Sequence, residues 1–400
     1  MTERIFVTVE LTDGPVLAGT LHIETRRALS CTFVYDADYL SKPAAYAIDP
    51  GLPLDLRPHH TRGLPGALAD AAPDRWGRNL IRRRLDAPPT RVTRSLTDID
   101  YLLGVSDATR QGALRFQTEA GGPYLSEHTS VPKLLAMPRM MRAADHVARD
   151  SGTDADVKEL LDAGSGSLGG ARPKASVIDD DGHLHIAKFA HPHDEWDVMA
   201  WEATALDLAE TAGIRVPERR LVRMEGGAAL LVERFDRRGD TRVGYLSAMS
   251  LVQGHDGDQL DYLDVAEAMA TVSASPAADL EDLFVRVLFG AVIGNSDDHL
   301  RNHGFLRVQN GWRLSPAFDL NPNPYLSPHQ TSIGGAATAE ESIAALRTCS
   351  ADFGLSRTRA DAIMQTLRRS LTGWRSVAAA NGAPASEISR MATAIRPDLV

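Results

Sequence analysis

Residues 295–306 read NSDDHLRNHGFL and follow directly on the apolar run LFVRVLFGAVIG (283–294). Carboxylates, amides, two histidines and an arginine crowd the point where a buried helix gives out. A metal site, a phosphate site and a solvated turn all suit such a stretch, so the rest of the chain has to choose. His299 and His303 stand at i, i+4, as zinc ligands on a helix do. The H-E-x-x-H pattern, however, needs Glu at a position where this chain has Leu300.

Downstream, GFLRVQNGWRLSPAFD reads as a hairpin, with strands at 304–308 and 312–314 around Asn310-Gly311, and it delivers Asp319. Asp297 and Asn302 have the spacing of the Asp and Asn in the H-R-D-x-x-x-x-N loop of protein kinases. Asp319 then falls where a kinase places its magnesium-binding Asp. Asp297, Asn302 and Asp319 are hard oxygen donors, suited to Mg²⁺.

Upstream, GSGSLGGARPK (164–174) contains G-x-G-x-x-G at Gly164, Gly166 and Gly169. A dinucleotide fold needs a strand before this motif and a helix after it, whereas here a helix precedes and a hairpin follows. Glycines let backbone N–H groups close on phosphate oxygens, and Lys174 could add charge. A flexible linker is the bland alternative. Lys188, in HLHIAKF, shares a strand face with Leu184 and Ile186 and calls for a counter-charge or a phosphate. Glu202 on the next helix offers that counter-charge, the Lys–Glu arrangement of protein kinases. An edge lysine reaching to water is the competing reading.

Composition fits this picture without deciding it. Of 400 residues, 43% are apolar and 24% charged, ordinary for a globular protein with a sizeable core. The net charge of −10 argues against a surface that wraps nucleic acid. Seven arginines in residues 75–94 read first as a solvated helix face. No run reaches the ~18 apolar residues of a membrane helix, because Arg286 interrupts the longest candidate. The start, MTERIFVTVELTDG, lacks a signal-peptide core, and Cys31 and Cys349 are too few for a disulfide framework. A cytoplasmic protein is expected.

Short strands are expected over 3–36 and at 112–116, and helices over 74–104 (broken at Ala87-Pro88-Pro89), 131–149 and 154–163. A hairpin around DDDG (179–182) and a helix at 197–212 follow. Beyond residue 250 the pattern is helical at 261–273, 278–293, 338–348, 357–382 and 386–394. A mixed front half and a helical back half suggest two lobes with a cleft.

SLGGARPKA, Lys188, VERFDRR (232–238), NSDDHLRN and SPAFDL together resemble the HipA family of bacterial serine/threonine kinase toxins. GALADAAPDRWGRNLI (66–81) and RQGALRF (110–116) are similar to its N-terminal subdomain. The resemblance covers nearly the whole chain. It implies an α+β fold, two-lobed and protein-kinase-like in the manner of the phosphatidylinositol kinases, with a mixed β-rich N-terminal lobe and an all-helical C-terminal lobe. The expected divisions are 1–125, 126–245 and 246–400. The implied activity is ATP- and Mg²⁺-dependent phosphorylation of a protein, an aminoacyl-tRNA synthetase in known members. The implied partner is a small DNA-binding HipB-like antitoxin that provides most of the contact with DNA. A small-molecule phosphotransferase and a weak kinase-fold co-repressor stay open beside this reading.

By the same resemblance Gly169, Gly170, Ala171, Arg172, Pro173 and Lys174 form the phosphate loop, and Lys188 binds ATP phosphates. Glu233, Arg234 and Phe235 line the adenine hinge, and Asp297 accepts the hydroxyl proton. His299, Arg301 and Asn302 contact ATP, Asn302 and Asp319 hold Mg²⁺, and Ser167 is the autophosphorylated serine. Two departures stand out: Arg172-Pro173 replaces a Gln-Glu pair, and Asp298 replaces a common Gly, making it an alternative base.

Overall fold

The alternation in ERIFVTVEL puts Ile5, Val7 and Val9 on one face, and the strand Glu3–Leu11 buries all three. This strand belongs to an antiparallel sheet ordered His59–Arg62, Ser30–Tyr35, Gly14–Glu24, Glu3–Leu11, Leu114–Gln117. The structure is a computed structural model and describes residues 3–25, 28–88, 92–125, 131–167, 170–255, 257–325 and 327–400.

The helix Arg75–Asp86 starts after Asp74 and stops before Ala87-Pro88, since proline cannot continue the ladder. A second helix, Asp98–Leu103, carries the Thr97/Asp100 capping box. Met137–Ala148 and Asp154–Asp162 pack on each other and lead into the glycine-rich stretch. The DDDG turn forms because Asp179 Oδ1 accepts from the amides of Asp181 (3.0 Å) and His183 (2.8 Å). It joins Lys174–Ile178 to Leu184–Phe189, and Gly227–Glu233 pairs with the second strand.

The chain divides into two compact units, Met1–His193 with Arg223–Leu246, and Asp194–Val222 with Ser247–Val400. The sequence places the border of the first domain at 125/126, but residues on both sides of it belong to one unit. The helix Val198–Thr211, which the sequence reads as part of 126–245, clusters with the second unit instead. Its Trp201 is buried near Trp374, ring centroids 6.2 Å apart, and donates Nε1–H to Glu387 Oε2 at 2.7 Å.

The second unit is mostly helical: Tyr262–Val272, Pro276–Ile293, Ala339–Thr348, Arg357–Ser370, Trp374–Ala380 and Ala385–Met391. The helix expected over 357–382 is two helices, broken at Thr372-Gly373, where glycine weakens the helical ladder. One hairpin, Gly304–Val308 with Gly311–Leu314, interrupts the helices where Asn310-Gly311 calls for it.

The long helix Pro276–Ile293 begins with proline in its first turn and ends at Gly294, whose φ of 68° is left-handed. Its apolar side chains are buried on nearly every face. Arg286, the residue that breaks the apolar run, is buried too. It pairs with Asp282 at 2.9 Å and donates to Ser315 O, fixing the backbone four residues before Asp319. No helix of the described residues is long and apolar enough to cross a membrane.

Candidate functional site

Ser165–Ser167 form a single 3₁₀ turn behind the helix Asp154–Asp162, and all three residues are buried. Ser167 Oγ lies 2.6 Å from Thr109 Oγ1, and Ser167 N donates to Gly164 O. Gly164 has no Cβ for a reason: with φ at +66°, one would stand 2.4 Å from Thr109 Oγ1. Three residues on, Gly170 N donates to Asp74 Oδ2 at 2.7 Å, and Trp76 N reaches Gly170 O at 3.4 Å. The APDRWGRN motif therefore supplies Asp74 and Trp76, and the residue just before RQGALRF supplies Thr109, as anchors for the glycine-rich stretch. Gly169 lies outside the described residues.

Gly170 has φ +87°, and a Cβ there would come within 2.5 Å of Lys174 Nζ. Lys174 and Lys188 are direct partners across neighbouring strands, and both are buried. Two ammoniums facing each other at one register concentrate positive charge at this point of the sheet, a field that attracts negative charge. A polyphosphate has that chemistry. Pro173 is buried, Ala171 exposed and Arg172 half-buried at the rim of this stretch. Glu202 is buried on its helix in the second unit.

In the VERFDRR stretch the side chains divide. Glu233 and Phe235 are half-buried, but the Arg234 guanidinium is committed inside the unit. It donates to Asp236 through Nε (2.7 Å) and Nη2 (2.6 Å) and to Thr109 O through Nη1 (3.0 Å). Its amide donates to Leu184 O, which leaves only the carbonyl for a nucleotide. Asp236 also takes Arg237 (2.9 Å) and the amide of Gly112 (2.7 Å), while Arg237 reaches Arg110 O. Two motifs, joined by Gly112 and Asp236 across 124 residues, form one buried ionic lock.

In the second unit the opening stretch folds as a loop closed by the 3₁₀ turn Leu300–Asn302. Asp297 is exposed. Asn302 Nδ2 donates to Asp297 O at 3.3 Å, so the atom it retains for a cation is its oxygen. Gln330 Nε2 donates to Asp297 Oδ1. His299 and Arg301 are half-buried on the same turn.

Asp298, the alternative base, is buried and engaged. Tyr262 OH donates to its Oδ2 at 2.6 Å, and His303 Nε2 lies 3.1 Å from Oδ1. Burial pushes its pKa up, but the His303 charge and the two hydrogen bonds outweigh that and hold the carboxyl below its usual range. It is the pivot of the loop. Removing the Tyr262 hydroxyl (Tyr262→Phe) is expected to cost about 1.5–3 kcal/mol in a denaturant titration, the range for hydrogen bonds to charged groups.

Asp319 has φ +57°, a left-handed backbone that costs a non-glycine residue roughly 1 kcal/mol or more, and such strain gathers at functional sites. Asn321 N donates to Asn295 Oδ1 (3.1 Å), tying the segment after Asp319 to the start of the loop. Asn302 and Asp319 fit Mg²⁺, which takes few protein oxygens and completes its shell with water and phosphate. Among the described residues no group of three His, Cys, Asp or Glu gathers into a metal cage, and His303 Nε2 is held by Asp298.

Sequence reasoning missed Asp74, Thr109, Tyr262 and Gln330. Only Asp74 lay in a motif singled out beforehand, and Thr109 directly precedes another.

Against known proteins, the HipA-like C-terminal domain family matches residues 166–374, more than half of the chain, and the HipA N-terminal domain family matches residues 9–116. The chain belongs to the HipA family. The serine/threonine-protein kinase toxin HipA of Shewanella oneidensis is 27% identical over 187 residues, 38% of this chain and 42% of that protein. Across four curated relatives the match spans between 36% and 53% of their lengths. HipA from the solved complex of Shewanella oneidensis HipA, HipB and operator DNA superposes with a TM-score of 0.74 at 17% identity, over 99% of this chain and 96% of that one. That likeness shows the fold: α+β, kinase-like, in two lobes.

Proposed function

We propose that this HipA-family chain is a serine/threonine-protein kinase that transfers phosphate from Mg·ATP. It would act as the toxin of a toxin–antitoxin pair in the cytoplasm, restrained by a small HipB-like, DNA-binding antitoxin. Its substrate would be a protein of translation such as an aminoacyl-tRNA synthetase, and it would label itself at Ser167. The carrying observation is the buried pair Lys174–Lys188 at one strand register, with Gly170 over the Lys174 ammonium. The HipB and DNA of the Shewanella oneidensis complex support the partner reading.

Phosphoryl transfer needs positioning and charge neutralisation more than covalent chemistry. Lys174 and Lys188 offset phosphate charge, and Gly170 lets the backbone approach. Glu233, the Arg234 carbonyl and Phe235 border the adenine, and His299 and Arg301 contact phosphate. Asp297 takes the proton of the attacking hydroxyl. When bound, Mg²⁺ would be held by Asn302 and Asp319 and would neutralise developing charge. Ser167, hydrogen-bonded to Thr109 in a buried turn, must leave that place to be phosphorylated, because a phosphate of nearly two negative charges does not fit beside a buried hydroxyl.

The test is incubation with γ-labelled ATP, Mg²⁺ and a cell lysate, followed by phosphosite mapping. Label at Ser167 and on serine or threonine of few lysate proteins is expected. Lys188→Ala should lower the signal about 10²–10³-fold. Transfer only to small molecules, or undiminished labelling by Lys188→Ala, would overturn the reading.

A further inference from the structure

The segment after Asp319 returns to the catalytic loop along a specific path. Gln330 N donates to Ser296 O and Thr331 N donates to Asp298 O, both at 3.1 Å, so this backbone brackets Asp297 from either side. The path is fastened at its far end. Asp261, which caps the helix Tyr262–Val272 by accepting from Leu263 N (2.7 Å), also accepts from Gly334 N (2.8 Å). Tyr262 N donates to Ser332 O (3.1 Å), and His329 N to Ala337 O (2.7 Å). Gln330 is exposed, yet its backbone is fixed directly across from Asp297, and its carboxamide donates to Asp297 Oδ1.

We infer that Gln330 is a positioning residue for Asp297. This rests on the reading of Asp297 as proton acceptor. A donated N–H on Oδ1 fixes the carboxylate plane and directs Oδ2 to the incoming hydroxyl. A neutral amide does this with a smaller drop in proton affinity than a lysine or arginine would bring, because it adds no full positive charge. Asp298 cannot do the same work, since Tyr262 and His303 already hold both of its oxygens. A carboxamide in the place of the substrate hydroxyl, blocking the base, predicts the opposite effect on rate.

The experiment measures single-turnover self-labelling and steady-state labelling of dephosphorylated casein, with γ-labelled ATP and Mg²⁺, across pH. Gln330→Ala is expected to lower kcat about 10- to 100-fold at unchanged KM for ATP and unchanged thermal midpoint. Gln330→Glu should move the acid limb of the rate profile to higher pH, and Gln330→Lys to lower pH. Gln330→Ala should add nothing in an Asp297→Asn background, as expected of residues acting as one unit. A faster Gln330→Ala enzyme, or an acid limb that stays put in the Glu and Lys variants, overturns the inference. If the wild-type chain binds Mg·ATP but transfers nothing, the kinase reading falls and takes this one with it. Wild-type transfer that is lost in Asp297→Asn and intact in Gln330→Ala removes the inference alone.

Discussion

Asp297→Asn is expected to bind Mg·ATP as the parent does and to lose about 10²–10³-fold or more of its phosphoryl transfer, the range for removing one positioned catalytic group. The substitution keeps shape. An Asn at 297 still presents an oxygen to Gln330 Nε2, and the backbone carbonyl at that position still accepts from Asn302. What it loses is the group that takes the hydroxyl proton. Calorimetric titration with a non-hydrolysable ATP analogue checks the first half, and single-turnover labelling the second. Full transfer by this variant would place the base elsewhere. The buried, doubly bonded Asp298 is a poor substitute, because a hydroxyl cannot reach oxygens that Tyr262 and His303 occupy.

Asp236→Ala should be the most destabilising single change, by about 3–5 kcal/mol, since it leaves the Arg234 guanidinium buried without its counter-charge. Arg237 and the Gly112 amide lose a partner in the same step. At about 2–4 °C per kcal/mol for a unit of this size, the first thermal transition falls by roughly 6–20 °C. The pH dependence has a definite sign. Burial raises the Asp236 pKa, but Arg234 and Arg237 outweigh it and hold the carboxyl well below the usual range. Its contribution is therefore fully present above the unfolded value of about 4 and is lost as pH falls through the depressed folded value. Acid titration of the thermal midpoint should show that loss in the parent and a flatter acid limb in Asp236→Ala.

Local features were legible in the sequence. Asn310-Gly311 made its hairpin, Gly294 stopped the long helix, and alternation placed Lys174 and Lys188 on strands of one hairpin. These signals lie within a few residues of what they determine. Features built across large separations were not legible. Asp74 meets Gly170 and Thr109 meets Ser167 across 96 and 58 residues, and a single sequence carries no periodic trace of such pairs. Arg234 shows both cases at once: its guanidinium holds Asp236 two residues away and Thr109 O across 125 residues, and only the first lies within the motif. The helix Val198–Thr211 misled through chain order, following strands of the first unit while burying Trp201 against helices of the second.

The moorings of Ser167 and Gly170 to Thr109 and Asp74 bear on how this protein can be shortened. Clipping the chain after residue 116 looks like deleting an accessory module. It would strip both ends of the glycine-rich turn of their tethers and leave Asp236 and Arg234 facing solvent where Gly112 and Thr109 had been. A trimmed variant that still worked would need replacement tethers from another polypeptide.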